Sequence, residues 1–341
     1  VGHSLAGLPG EQLDTYLRDR ISGLAAPLTV EPIAGGQSNP TFFVSYGDRR
    51  MVLRKKPPNA LPSAHAIDRE FRVMSALHPV GLKVPETVLY CDDSAIIGTP
   101  FYLMNRLEGR VFNDCWLPGV SPADRRAMYM DMATTLADLH NVDWQAAGLA
   151  DFGKPGNYFS RQIGRWTKQW QLSREAESDA IDHLIAWLPD NIPAGDQTAV
   201  SHGDFRIGNL IFHPTEPRVV GILDWELSTL GHPLADLAYS ALGWHLLTSE
   251  HMGMRDLDYQ NLGIPIEQDY LERYYSTASS KARVQPFHFA FSLFRLAVIF
   301  EGIAARARLG NASSANAAEV GALSTVLAQR AVDEISSNRT Y

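Results

Sequence analysis

The chain has 341 residues, 45% of them apolar and 20% charged, with a formal net charge of -8 at neutral pH and a pI near 5.8. That length suits two lobes that share a cleft, and the composition excludes a disordered or low-complexity chain. The acidic balance argues against a nucleic-acid partner, which needs a basic face to displace phosphate counterions.

Val1-Gly2-His3-Ser4 shows neither the basic nor the apolar region of a secretion signal. Cys91 and Cys115 have no metal-ligand spacing and suit a reducing compartment. The most apolar late stretch, residues 287–309, is broken by His288, Arg295 and Glu301 before about 20 apolar residues accumulate. These features predict a cytoplasmic protein without a membrane partner.

In chain order, a helical pattern over residues 12–21 is followed by an alternating run, residues 28–33. The turn Ala34-Gly35-Gly36-Gln37-Ser38-Asn39 follows, and residues 41–46 return as a β-rich run. Another short strand, residues 51–54, ends at Lys55-Lys56-Pro57-Pro58. Residues 65–77 have helical spacing, and residues 85–90 and 100–104 supply two more strands. After the first helical pattern, five strands and the helix over residues 65–77 complete an N-terminal lobe, residues 1–106.

The remainder, residues 107–341, is mainly helical. Ser121-Pro122-Ala123-Asp124 is a capping box with proline at the first helical position, and it opens a helix toward His140. In the helix predicted over residues 158–174, Phe159, Ile163, Trp166 and Trp170 form an apolar stripe, while Arg161, Arg165 and Lys168 fall on another face. That cationic strip reads either as a solvated face or as a receiver for an anionic substrate. The exception to the helices is a small hairpin, residues 209–213 and 219–223.

The residues around this hairpin carry the chemistry. In Ser201-His202-Gly203-Asp204-Phe205-Arg206-Ile207-Gly208-Asn209, an aspartate is followed five positions later by an asparagine. Phosphoryl transfer to a hydroxyl needs a carboxylate beside the attacking oxygen and an oxygen ligand for magnesium, and this loop supplies both. Asp204 is the expected base and Asn209 a metal ligand. Gly221-Ile222-Leu223-Asp224-Trp225-Glu226 ends an apolar run in a carboxylate, so Asp224 is the second expected ligand for a cation that demands octahedral oxygen geometry. Glu226 reads as a further metal-side ligand or as a plain ion pair.

These residues, with Gly231-His232-Pro233-Leu234-Ala235-Asp236-Leu237-Ala238, resemble the aminoglycoside phosphotransferase and choline kinase superfamily, a branch of the protein-kinase-like fold. Through Gly35-Gly36-Gln37-Ser38-Asn39, Leu53-Arg54-Lys55-Lys56-Pro57 and Gly98-Thr99-Pro100-Phe101-Tyr102 the chain is especially similar to the phosphotransferase-like domains that also occur fused to acyl-CoA dehydrogenases. The resemblance implies an α+β, bilobal protein-kinase-like fold, with an N-lobe antiparallel sheet plus helix and a mainly helical C-lobe carrying a small catalytic hairpin.

It also implies ATP and Mg as cofactors and a small-molecule hydroxyl as acceptor. Gly35, Gly36 and Ser38 would cover the nucleotide phosphates. A strand cation would pair with a helix glutamate. Val52 and Arg54 share a strand face, which selects Arg54 over Lys55, with Glu70 as its partner. The Asn105 carbonyl and the Leu107 amide would meet the adenine edge. Arg206 would face the transferring phosphate or brace the loop by a salt bridge. His202 and Asp236 read as structural groups behind the loop. For the acceptor, a hydroxyacyl-CoA or hydroxy acid stands first and an aminoglycoside second, the latter because Glu250, Asp256, Asp258, Glu267, Asp269 and Glu272 are concentrated in one stretch. A nucleotide-binding pseudokinase that regulates a partner is the reading from another class.

Overall fold

The structure is a computed structural model, and it describes residues 4–5, 7–33, 39–57, 67–308 and 317–337. The chain forms two compact units, one of Val1–Gly109 with Val220–Glu226 and the other of Arg110–Val219 with Leu227–Tyr341. The first unit therefore contains the segment that bears Asp224.

The first unit is built on a five-stranded antiparallel sheet. Its order is Leu28–Pro32, Thr41–Tyr46, Arg49–Lys55, Phe101–Asn105 and Thr87–Cys91. Strand side chains alternate, so each strand serves two faces. Val44, Met51, Leu53, Phe101 and Leu103 pack with Leu13 and Leu17 of the Gly10–Arg20 helix into one buried cluster. Val52, Arg54 and Tyr102 have the opposite phase. The helix Ile67–Leu77 buries Glu70, Val73, Met74 and Leu77 and packs on the strands Thr87–Cys91 and Phe101–Asn105.

The second unit is mainly helical. Ser121 caps the helix Pro122–His140, its Oγ accepting the Asp124 N–H at 3.2 Å, with proline at the first turn. The helix Pro286–Arg308 packs against Tyr158–Ser173, Pro233–Ser240 and Ala317–Ser336. It is apolar almost all round, which is what a helix surrounded by others requires. Among the described residues it is the one helix long and apolar enough to cross a membrane by length and composition, and 83% of its most apolar window is buried inside the protein. The short strands Ala199–Ser201 and Thr229–Gly231 pair antiparallel beside the expected catalytic run. The strand Leu210–Phe212 leads into a turn in which the His213 N–H donates to the Arg218 carbonyl at 2.8 Å, and Val219–Ile222 follows.

Candidate active site

In the first unit the site grows out of strand phase. Arg54 lies opposite Tyr102 in the sheet register, on the face toward the helix Ile67–Leu77. Its Nε is 3.2 Å from Glu70 Oε2 and its Nη2 donates to Asp224 Oδ1 at 2.9 Å. Lys55, one residue on, points the other way and donates to the Ile97 carbonyl. The cation paired with the helix glutamate is Arg54.

Glu70 is 1% exposed, and a buried carboxylate is tolerable only when its oxygens are occupied. Asn39 Nδ2 donates to Oε1 at 3.1 Å and the Tyr102 hydroxyl to Oε2 at 2.9 Å, beside the Arg54 ion pair. Burial pushes the Glu70 carboxyl above the ordinary range, while Arg54 and Tyr102 pull it back. Burial likewise opposes the charge on Arg54, but Glu70, Tyr102 and Asp224 outweigh it and keep the guanidinium charged.

Asp224 adopts φ +65°, a left-handed conformation rare outside glycine. It directly follows the strand Val219–Ile222 and Leu223, and the next residue, Trp225, anchors the bend by donating from Nε1 to the Ile222 carbonyl at 3.0 Å. Carboxylate oxygens of Glu70, Asp224 and Glu226 lie within 4.8 Å of one another. Glu70 is already met by Arg54, Asn39 and Tyr102 and Asp224 by Arg54, and the three carboxylates are close enough together to hold one divalent cation. Asn105 ends its strand, its Nδ2 donating to Glu86 Oε2 at 2.6 Å, and Leu107 follows two residues later. Gly35, Gly36 and Ser38 lie outside the described residues.

In the second unit the run from Ser201 to Asn209 is a loop fixed from behind. Gly203 has φ +85°, and a Cβ there would sit 2.7 Å from the Leu227 carbonyl oxygen, so only glycine fits. Asp236 accepts from Ser201 Oγ at 2.8 Å, from the Gly203 N–H at 3.0 Å and from the His202 N–H. Burial would raise the Asp236 carboxyl, but His140, His202 and Ser201 hold it below the ordinary carboxylate value. His202, fully buried, accepts the Asp204 N–H on Nδ1 at 3.2 Å. Both residues thus brace the loop, as their positions suggest.

Asp204 projects from this frame. Asn209 Nδ2 donates at 2.8 Å both to the Asp204 carbonyl and to its Oδ2, so the side-chain oxygen of Asn209 is the atom that could meet a cation. Arg206 Nε lies 3.4 Å from Asp204 Oδ2, and its guanidinium folds back over Gly208, where any Cβ would collide with it. Arg161, Arg165 and Lys168 all lie on the helix Tyr158–Ser173. Arg161 donates to the Lys154 carbonyl, and Arg165 stands 5.3 Å from the Trp166 ring centroid.

Two residues at this site belong to no motif visible in the sequence. The Tyr239 hydroxyl donates to Asp204 Oδ1. Arg295 Nη2 donates to the Gly203 carbonyl at 2.6 Å, and its guanidinium is 5.6 Å from the Tyr239 ring centroid. The signals were present but faint: Tyr239 is three residues beyond Asp236 on one helix, and Arg295 is a charge inside the most apolar stretch of the chain.

Residues 29–272 match the profile of the phosphotransferase enzyme family. The chain belongs to that family. The mouse (Mus musculus) acyl-CoA dehydrogenase family member 10 is 44% identical over 335 residues, covering 96% of this chain but 31% of that protein. The chain thus spans about a third of the length of this relative. A crystal structure from Ralstonia eutropha JMP134, provisionally described as an aminoglycoside phosphotransferase, is 43% identical with a TM-score of 0.90, covering 98% of this chain and 100% of that one. A thermostable aminoglycoside phosphotransferase variant solved with AMP-PNP and hygromycin B shares the fold at a TM-score of 0.63 and 15% identity, covering 95% and 98%. The fold of the family member described here is accordingly kinase-like and α+β, with an antiparallel sheet in its N-terminal part and a helical C-terminal part.

Proposed function

We propose that the chain is an ATP- and magnesium-dependent phosphotransferase that moves the γ-phosphoryl group to a hydroxyl of a small molecule, the acceptor being a hydroxyacyl-CoA or hydroxy acid. The observation that carries this reading is the Asp204–Asn209 pair. One loop presents a carboxylate oriented by an asparagine whose own oxygen remains for a cation. Asp204 would align the acceptor hydroxyl and take its proton as the oxygen attacks phosphorus. Arg206, beside Asp204, would stabilise charge on the transferring group.

Asn209 and Asp224 would each offer an oxygen donor of the kind magnesium prefers, and the ion, when bound, would neutralise phosphate charge. Arg54 would clasp the α- and β-phosphates with a planar fork where a lysine offers a point charge. Asn105 and Leu107 would hold the adenine through backbone atoms. Gly35, Gly36 and Ser38 would close over the phosphates.

The acceptor class rests on charge. A polycationic aminoglycoside needs carboxylates to receive it, and the six in residues 250–272 have other work. Glu250 pairs with Arg330 at 2.8 Å, Asp269 with Arg126 at 2.8 Å, Glu272 with Arg283 at 2.7 Å and Glu267 with His245 at 2.6 Å. Asp256 accepts from Thr248, and Asp258 caps a short helix through the Asn261 N–H. Arg165 and Lys168 are exposed on one helix, which supports an anionic acceptor such as one bearing CoA phosphates. The name of the mouse relative, which concerns acyl-CoA chemistry, supports the same class.

The description of the Ralstonia structure favours the aminoglycoside reading. Incubating the protein with magnesium, γ-labelled ATP and separate hydroxyacyl-CoAs, aminoglycosides and choline-like alcohols distinguishes the readings. Label on a hydroxyacyl-CoA is expected. Label on aminoglycosides alone would replace the proposed acceptor, and ATP binding without transfer to any alcohol would point to a regulatory pseudokinase.

A further inference from the structure

We propose that Tyr239 is a positioning residue that holds Asp204 in the rotamer from which it can meet an acceptor hydroxyl, an inference that rests on the phosphotransferase reading above. The helix Pro233–Ser240 begins with His232, whose side chain accepts the Leu234 N–H, and with Pro233 at the first turn. Asp236 and Tyr239, three residues apart, therefore project from one face of a firmly started helix. Asp236 fixes the peptide before Asp204 through the His202 and Gly203 N–H groups. Tyr239 fixes the Asp204 side chain itself. The same short helix thus holds both the backbone and the carboxylate of the loop.

The Asp204 carboxylate is held at both oxygens, Oδ1 by Tyr239 and Oδ2 by Asn209 with Arg206 nearby. Donors on opposite oxygens fix the side-chain rotation that a single donor would leave loose, and that freedom matters when reacting atoms must approach within about 3–3.5 Å. Tyr239 is itself immobilised. It is 4% exposed, and the buried Arg295, anchored to the Gly203 carbonyl, packs 5.6 Å from its ring centroid. Burial, with the Asp204 charge beside it, holds the phenol well above its ordinary value, so the hydroxyl remains a donor throughout the neutral range. Arg295 also lies 5.8 Å from the Trp166 centroid, which joins this arrangement to the helix bearing Arg165.

Tyr239→Phe removes the hydroxyl and keeps the ring that Arg295 packs on. The test compares crystal structures, melting temperatures and steady-state kinetics of Y239F and the unaltered protein. The expected result is an Asp204 carboxylate rotated from its present position and a kcat lower by roughly 10- to 100-fold, the range of a misplaced acid–base group. KM for acceptor, affinity for ATP and melting temperature should stay near their starting values. That split between kcat and KM separates positioning from a loss of fold. An unchanged kcat overturns the inference, and so does a kcat loss that merely follows a collapse in melting temperature. If the unaltered protein transfers phosphate to no alcohol, the phosphotransferase reading fails. The Asp204 rotamer in the two crystal structures then decides the Tyr239 inference by itself, and an unmoved carboxylate overturns it.

Discussion

Asp224 occupies a left-handed backbone conformation, which costs an ordinary L-residue roughly 1–2 kcal/mol and costs asparagine or aspartate less. Replacing it by asparagine or by alanine removes the carboxylate that pairs with Arg54 in both cases, but only alanine meets the full backbone penalty. Asp224→Ala should therefore be less stable than Asp224→Asn by about 0.5–1 kcal/mol in denaturant unfolding. Equal stabilities would show that the bend imposes no such cost. Gly208 offers a second test at this scale, because a Cβ there collides with the guanidinium of Arg206. That side chain can swing away, so Gly208→Ala is expected to fold with a change near about 0.5 kcal/mol. Phosphoryl transfer should nevertheless fall roughly tenfold or more, equivalent to about 1.4 kcal/mol of barrier. Full activity in this variant would show that Arg206 has no part in the transfer.

The helix Pro233–Ser240 holds the loop that carries Asp204. Its Asp236 receives Ser201 Oγ and the His202 and Gly203 N–H groups, with His140 Nε2 3.5 Å away. Asp236→Ala strands these buried donors together and should cost about 3–5 kcal/mol in thermal or chemical unfolding. A loss below about 1 kcal/mol would mean that water can replace the carboxylate. Several elements are legible in the sequence itself. Period-two alternation placed Arg54 and Val52 on one face, while Glu70 as the partner of Arg54 came from the family resemblance, in which a strand cation pairs with a helix glutamate, and the two side chains do meet. Ser121 with Pro122 marked a helix start to the residue. Arg295 could not be placed this way: its partner Gly203 is 92 positions away in sequence, and no local periodicity encodes a contact between a helix interior and a distant loop. Tyr239 failed differently, since a tyrosine at helical spacing reads as core until the carboxylate it meets is known. The glycines of the first turn, whose phosphate-covering role the resemblance implies, lie outside the described residues.

At the scale of the whole molecule, the second unit depends on a buried imidazolium. His245 Nε2 lies 2.6 Å from Glu267 Oε1 and Nδ1 lies 3.1 Å from Glu334 Oε2, while its ring stacks on Phe289 at 4.2 Å. One side chain thereby ties the helices Glu267–Thr277, Pro286–Arg308 and Ala317–Ser336. Burial opposes the charge, but hydrogen bonds to both glutamates outweigh it and hold the histidine up to about 9. Because the folded value exceeds the unfolded value of about 6.5, this contribution is complete below about pH 6.5 and is lost as pH rises through about 9. Melting temperature should therefore fall across that window more steeply in the unaltered protein than in Glu334→Gln, where one of the two carboxylates is gone. Parallel pH profiles would show that the imidazolium contributes nothing specific.

The family membership, the kinase-like fold and the loop geometry meet in Asp204, the group proposed to act on the acceptor. The decisive measurement is the rate of γ-phosphoryl transfer by Asp204→Ala together with its affinity for magnesium-ATP. The expected result is a loss of at least about 10²-fold in turnover, with nucleotide affinity nearly unchanged. Transfer at the unaltered rate, or loss of nucleotide binding in place of chemistry, would contradict the role assigned to this carboxylate.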